Sequence, residues 1–342
     1  MKIPKANAWQ YLRSLCLDAI PSGASAYHIR ATPLEKWRLT GSFRLLACAP
    51  SLITLEAADV EVGTALLADS EYLLDHAAEQ RAMVRRFVSE LTWNSPAWAA
   101  VTVYYWAFFS TMAITRLAGR TTWFLDRTAL TEFRRLANAP KQPYAGAWKF
   151  SIAPYVSANV RGVTLEAART QLHDAHWKRF HNLVADAFSQ CDQNANPLEY
   201  RLFWCMHEAQ RRLGPDWPSS VRNIVNYRPG RAYREVIGAT EIDAAPYIRS
   251  RSPLTSETLI SSLEDTILRF KPTGQVPDDV ASLCRLLVLF SAAVAGLSEG
   301  LHADILHRSS TDRRWLDLRT RFLRTNCAGN VAGTVWPFAA EI

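Results

Sequence analysis

A long run of uncharged residues sets the first limit on how this chain can fold. No charged side chain occurs between Glu90 and Arg116. Ser95 and Pro96 favour a helix start, because Ser is a common N-cap and Pro is tolerated at the first helical position. Gly119 is typical of a helix stop. A helix that is apolar on all sides is either central to a large core or spans a membrane. The run carries these aromatic residues: Trp93, Trp98, Tyr104, Tyr105, Trp106, Phe108 and Phe109.

The polar content of the run favours burial in a core. A spanning helix needs about 20 apolar residues, yet this one contains several Ser and Thr residues, and its two tyrosines lie in the middle. The next apolar stretch, residues 286–297, has only the length of a core helix. Six widely spaced cysteines without a CxxC pair are typical of reduced thiols, and the first residues lack the apolar stretch of a signal peptide. The sequence therefore predicts a soluble, cytoplasmic protein with no membrane partner.

Helical patterns dominate the rest of the chain. The 342 residues contain only 14 Gly and 17 Pro, too few for a β-sandwich with many turns. We therefore predict a mainly α fold, a multi-helix bundle with a small β or irregular insertion near residues 138–166. The predicted organisation is a mixed or helical N-terminal extension over 1–60, a helical domain over 61–325 and an irregular tail over 326–342.

A polar segment at residues 214–234 is the most unusual part of the chain and is predicted to be a loop. If residues 221–226 form a helical turn, Arg222 and Asn226 lie on one face, with Asn223 beside them. An arginine there could hold a phosphate through two hydrogen bonds, and an asparagine could orient a hydroxyl group. The alternative is that these side chains only satisfy the backbone of a tight connection between helices.

Charge and histidine placement limit the possible chemistry. The formal net charge of +7 is compatible with a nucleic-acid or other polyanionic partner, and equally with a solvated basic surface. His173 and His176 share a helix face, with His181 further along, but a metal site needs a third or fourth ligand. We interpret them as polar edges of a packed helix, and we predict no metal and no cofactor. The phosphate-binding and nucleophile-elbow motifs GxxxxGK[ST], GxGxxG and GxSxG do not occur.

Two segments resemble motifs of one protein superfamily. The segment SPAW…YYWAFF at 95–109, with LAG at 117–119, resembles the second helix of HEPN-like proteins (higher eukaryotes and prokaryotes nucleotide-binding), including their YaaC-like branch. VRNIVNYR at 221–228 resembles their Arg-Asn…Tyr signature. The resemblance implies an all-helical fold and a nucleic-acid-targeting, RNase-like component of a prokaryotic anti-phage or toxin-type system. It also implies RNA rather than DNA as the target, partner subunits of a defence complex, and a homodimer. Together the pattern and the resemblance predict these site residues: Arg222, Asn223, Asn226 and Tyr227, supported by Tyr104, Tyr105 and Arg228.

The chain departs from the superfamily pattern where catalysis is concerned. Catalytic members cut RNA without metal, using an arginine, a polar residue and a histidine four to six positions after the arginine. Here Asn226 or Tyr227 stands where that histidine would be. Asn cannot transfer a proton, and Tyr, with a pKa of about 10, is a poor base at neutral pH. Two functions therefore stay open: a metal-independent endoribonuclease, and a non-catalytic scaffold or sensor that binds nucleic acid or a partner protein. Arg201 and His207 satisfy the motif spacing as an alternative pair. We also expect the tyrosine pair of the uncharged run to face Arg222.

Overall fold

The computed structural model describes residues 7–25, 33–89, 96–227 and 257–307. Helices and strands alternate in blocks along these residues. The helices are α1 (Ala8–Ala19), α2 (Leu34–Thr40), α3 (Asp59–Ser89), α4 (Pro96–Leu117), α5 (Arg127–Leu136), α6 (Leu172–Ser189), α7 (Pro197–Leu213), α8 (Trp217–Tyr227), α9 (Glu257–Leu268) and α10 (Val280–Leu306). The strands are β1 (Phe43–Ala49), β2 (Leu52–Ala58), β3 (Arg120–Leu125), β4 (Gly146–Ser157) and β5 (Val160–Ala167).

A five-stranded antiparallel sheet makes the fold a mixture of α and β structure. Its strand order is β1-β2-β5-β4-β3. The predicted mainly α bundle with a small insertion is therefore wrong. The strands come from three separate parts of the chain, and pairing between distant parts leaves no local signal in the sequence. At the edge strand β1, a bulge between Leu45 and Ala47 leaves Leu46 out of the register and exposed.

The sheet also crosses the predicted domain boundaries. β2 pairs with β5, with Leu52 opposite Glu166, so the N-terminal extension and the predicted insertion share one sheet. The boundary predicted between residues 60 and 61 falls inside α3, and residues from both sides of it lie in one continuous hydrophobic core. The predicted tail, 326–342, lies outside the described residues.

The uncharged run forms α4, which is packed between α3 and α10 and turns directly into β3. The turn between α4 and β3 contains Gly119, at φ 63°, where a Cβ would lie 2.7 Å from the Ala19 Cβ. Among the described residues, α4 and α10 are long and apolar enough to cross a membrane, but 78% and 83% of their apolar windows are buried. This is the burial expected of core helices in a soluble protein. The second of these helices contains the apolar stretch 286–297 within its 27 residues, and the helix that the sequence predicts over residues 277–306 is confirmed.

A buried ion pair fixes the end of α4. The Nε of Arg116 lies 2.9 Å from the Oδ2 of Asp69 on α3, and its Nη1 donates to the Oγ1 of Thr121 on β3 at 2.7 Å. Arg116 is 5% exposed. The pair joins α3, α4 and the first residues of β3, so the helices and the sheet meet at a defined point.

The polar segment after α7 contains a helix where we predicted a loop. α8 begins at Trp217 and ends at Tyr227. Trp217, Val221 and Val225 follow one another at intervals of four residues and are all buried, and Pro218 lies in the first turn, where a proline is tolerated. The predicted helical turn at 221–226 is therefore part of a longer helix, which carries Arg222 to the side of α4. Residues 228–234 lie outside the described residues.

Candidate functional site: an arginine, a tyrosine and a histidine on three helices

Tyr104 lies where α4 meets α6 and α8. Its ring is fully buried. Its Oη is 2.6 Å from the Nδ1 of His173 on α6 and 3.1 Å from the Oγ of Ser219 on α8. The indole Nε1 of Trp177 donates to the same oxygen at 3.4 Å. One hydroxyl group therefore connects three helices.

Arg222 occupies the face of the same tyrosine ring. Its Cζ lies 5.1 Å from the ring centroid of Tyr104, a distance typical of a cation–π interaction. Its Nε and Nη2 donate to the Oδ1 of Asn223 at 3.2 and 2.7 Å. Ser219 precedes Arg222 by three positions on α8, so both face α4. Arg222 is partly buried, and its guanidinium group is oriented by the Tyr104 ring and by Asn223.

The hydrogen bonds around Tyr104 accommodate both tautomers of His173. The indole N–H of Trp177 can only donate, so the tyrosine oxygen accepts it. With the imidazole proton on Nδ1, the ring donates to the tyrosine oxygen, and the tyrosine hydroxyl donates to Ser219. With the proton on Nε2, the tyrosine hydroxyl donates to Nδ1, and Ser219 donates to the tyrosine. Rotation of two hydroxyl groups therefore lets the His173 Nε2 act as a proton acceptor or as a proton donor.

The surroundings keep His173 neutral. Burial lowers its pKa below the usual 6.5, the positive charge of Arg222 lowers it further, and Asp174 opposes them. Burial raises the pKa of Tyr104, so its hydroxyl keeps its proton. The His173 ring also stacks on Phe108, with centroids 4.4 Å apart, while remaining partly exposed. The site therefore combines a fixed cation with an uncharged imidazole at neutral pH.

His173 is not among the site residues that the sequence predicts. Its role depends on the packing of α6 against α4. One local signal was present: His173 and Trp177 are four residues apart on a helix, and ring N–H groups on a buried face require hydrogen-bond partners. His176, which shares that face, lies deeper, where burial lowers its pKa to about 3 and its Nε2 is 2.9 Å from the Oγ1 of Thr111.

The other predicted residues of this region lie around the cluster. Asn223 contacts Arg222, and the ring of Tyr105 packs edge-on against Tyr104 with centroids 5.2 Å apart. Asn226 and Tyr227 are exposed in the last turn of α8, with Tyr227 76% exposed. Arg228 lies outside the described residues. Of the predicted set, Tyr104 and Arg222 are thus brought together with an unpredicted histidine.

The alternative pair, Arg201 and His207, is not brought together. Arg201 faces α9, where it donates to Glu264 at 2.6 Å, with the Oε1 of Glu257 3.4 Å from its Nη1. His207 faces α6, where its ring stacks on His181 with centroids 5.8 Å apart. The two side chains lie on different faces of α7, and Arg201 is engaged by carboxylates. In the part of the chain that the structure describes, no group of three His, Cys, Asp or Glu residues is arranged to hold a metal ion.

The fold and the site together define a mixed α/β protein with a buried tyrosine connecting an arginine to a neutral histidine. A scan against protein-family models finds no match, and searches of curated proteins and of solved structures find no similar chain. The function is therefore inferred from the residues of this chain.

Proposed function

We propose that the cluster of Arg222, Tyr104 and His173 binds the phosphodiester backbone of RNA and cleaves it without a metal ion. The observation that carries the proposal is the shared tyrosine. Its ring lies 5.1 Å from the Arg222 Cζ, and its hydroxyl lies 2.6 Å from the His173 Nδ1. A cation that can hold a phosphate and an imidazole that can accept a proton are thus oriented by the same side chain.

The chemistry that fits this pair is an internal transesterification of RNA. The Nε2 of His173 accepts the proton of a ribose 2′-hydroxyl group, and the 2′-oxygen attacks the adjacent phosphorus. The bond from phosphorus to the 5′-oxygen breaks, and that oxygen takes up a proton from the imidazolium or from water. The products are a 2′,3′-cyclic phosphate and a 5′-hydroxyl end. Arg222 stabilises the charge that develops on the phosphate oxygens. DNA lacks the 2′-hydroxyl group, so the reaction favours RNA.

A non-catalytic RNA-binding or partner-binding module is the second candidate. The observation that favours it is the single proton-transfer group. Among the described residues, His173 is the partly exposed imidazole that joins the cluster, while Tyr104 stays protonated and His176 is fully buried. In this reading, the chain is a scaffold or sensor whose arginine holds a phosphate without cutting it.

The proposed setting is the cytoplasm of a prokaryotic cell, within an anti-phage or toxin-type system. It is supported by the resemblance of residues 95–119 and 221–228 to HEPN-like motifs, and the net charge of +7 is compatible with it. The same resemblance supports a homodimer or partner subunits of a defence complex. The test of this setting is induced expression in a bacterial host: growth arrest that requires both Arg222 and His173 is expected for a toxin-type nuclease.

Cleavage of end-labelled RNA in EDTA tests the proposed reaction. We expect Arg222→Ala and His173→Ala each to lower the rate by about 100-fold or more, because an oriented cation and a general base each contribute about that much. The matched controls are Arg211→Ala and His76→Ala, which remove an arginine and a histidine whose side chains are 51% and 57% exposed. The acid limb of the pH–rate profile should lie below 6.5, since the pKa of His173 is lowered.

The product ends distinguish the two candidates. A 2′,3′-cyclic phosphate that disappears in both site variants supports the nuclease. Wild-type protein that binds RNA through Arg222 but leaves it intact favours the non-catalytic module. Cleavage by both site variants at the rate of the controls would show that this cluster is not the active site.

A further inference from the structure

A cavity of about 520 Å³ opens beside the first turn of α6. Its volume is within the range of about 300–1,000 Å³ that is typical of ligand sites. The wall consists of Tyr144, Gly146 and Ala147 on one side and Arg169, Thr170 and Gln171 on the other. Gln171 is the N-cap of α6, and His173 is the second residue of that helix. The cavity therefore lies within one helical turn of the proposed active site.

Tyr144 presents an exposed aromatic surface from a fixed backbone. Its side chain is 56% exposed. Its backbone N–H donates to the carbonyl oxygen of Pro50 at 3.0 Å, and its own carbonyl oxygen accepts from the Nε1 of Trp148 at 3.0 Å. Trp148 is fully buried in the sheet. The backbone of Tyr144 is thus held on both sides, while more than half of the side chain stays exposed.

Arg169 supplies a cation above that ring. Its Cζ lies 5.6 Å from the ring centroid of Tyr144. Its backbone is in the left-handed region, at φ 56°. Within the described residues, no carboxylate forms an ion pair with this guanidinium group. The side chain of Gln171 makes no capping hydrogen bond, so the first amides of α6 also lack a side-chain cap. The same turn carries Asp174, so the attraction for an anion comes mainly from Arg169.

We infer that this cavity binds a nucleotide of single-stranded RNA next to the one held at Arg222 and His173. The base stacks on Tyr144, and the phosphate lies between Arg169 and the first amides of α6. An exposed aromatic ring on which a base stacks and a nearby cation that contacts the phosphate are the two elements with which proteins hold single strands. This inference rests on the proposed RNA binding at the Arg222 site. It gives the substrate class of that site: an unpaired RNA segment that extends past the cleaved bond.

Fluorescence anisotropy with a fluorescein-labelled, 2′-O-methylated decauridine tests the inference, because this probe cannot be cleaved. Tyr144→Ala should raise the Kd by about tenfold, as expected for one lost base–aromatic stack. Tyr144→Phe keeps the ring and should bind within twofold of the wild type. Arg169→Ala should reduce the slope of log Kd against log salt by about 0.7, the value for one phosphate contact to a single strand.

Two surface variants serve as matched controls. Tyr72→Ala removes a tyrosine that is 52% exposed, and Arg44→Ala removes an arginine whose side chain is 74% exposed. A Kd for Tyr144→Ala and Arg169→Ala within twofold of these controls would overturn the inference.

The same assay separates this inference from the proposed function. Cleavage that depends on Arg222 and His173, with no effect of Tyr144→Ala on binding, overturns the cavity assignment alone. Weaker binding in Tyr144→Ala, with no cleavage by the wild type, supports the cavity and rejects the nuclease. A wild-type protein that neither binds the probe nor cleaves RNA overturns both.

Discussion

Replacing Tyr104 with phenylalanine tests the central hydrogen-bond network without changing its packing. The substitution removes one oxygen and keeps the ring, so no cavity of side-chain size forms. The lost hydroxyl group contacts the His173 Nδ1 at 2.6 Å, the Ser219 Oγ at 3.1 Å and the Trp177 Nε1 at 3.4 Å. Ser219 and Trp177 are buried, at 4% and 0% exposure, so water cannot readily replace the oxygen for them.

The expected cost follows from these two buried partners. A buried polar group that loses its hydrogen bond costs about 1–3 kcal/mol. The contact with Trp177 is long, and His173 is partly exposed and can bind water instead. We therefore expect a loss of about 2 kcal/mol in the free energy of unfolding. With an unfolding entropy of about 2.1 cal/mol/K per residue over the 342 residues, this corresponds to about 3 °C in Tm.

Urea denaturation followed by tryptophan fluorescence measures this change, and Tyr105→Phe is the matched control. The Tyr105 side chain makes no hydrogen bond to any residue that the structure describes, so its substitution should change the free energy of unfolding by less than about 0.5 kcal/mol. RNA cleavage should also fall in Tyr104→Phe alone, because the His173 ring loses its orienting partner. Equal stability and equal activity of the two variants would refute the network and leave Tyr104 as a packing residue.

Two further predictions concern buried ionisable groups, Arg116 and His176. Arg116→Met should lower the free energy of unfolding by about 3–5 kcal/mol, because it leaves the largely buried Asp69 carboxylate without its cationic partner. Adding Asp69→Leu should recover part of this loss, since the hydrogen bond from Arg116 to Thr121 stays lost. Urea midpoints that are the same for the single and double variants would contradict this. Protein stability should fall as the pH falls from 6.5 towards 3, because the pKa of His176 is about 3 in the folded protein and 6.5 is its ordinary value, so the unfolded chain binds the proton first. This residue changes the free energy of unfolding by at most about 1.4 kcal/mol per pH unit. His176→Gln should remove this pH dependence in urea titrations between pH 7 and 5. An unchanged dependence on pH would show that His176 is not the cause.

Local signals predicted several helices well. The sequence pattern predicts helices over residues 172–189 and 197–213, and α6 and α7 begin and end at these residues. For α7 the reason is visible in its first turn, where the Asn196 side chain accepts from the backbone N–H of Glu199 and Pro197 occupies the first helical position. Signals of this kind depend on neighbours in sequence and need no knowledge of the fold.

The sheet and the role of His173 in the site depend on contacts between residues that are far apart in the sequence. β3 has six residues between a glycine and a helix, and only its pairing with β4, such as Trp123 opposite Trp148, makes it a strand. Tyr104 and Arg222 were connected from the sequence because each stood out in its own segment. His173 did not stand out, because its role depends on where α6 crosses α4. Its interpretation as a polar edge of a packed helix described its neighbours and missed its hydrogen bond.

The pairing of β2 with β5 has a consequence for how the chain folds. Leu52 and Glu166 are 114 positions apart, so closing this pair in an unfolded chain costs about 4 kcal/mol of loop entropy. Pairing over such distances slows folding. α3 starts where β2 ends, α4 ends where β3 starts, and Arg116 pairs with Asp69 across them. Docking of α4 on α3 therefore brings β2 and β3 to the same end of the molecule and leaves a gap that the β4–β5 hairpin fills. The apolar helix thus acts as a template for the sheet, and substitutions that loosen its contact with α3 should slow refolding.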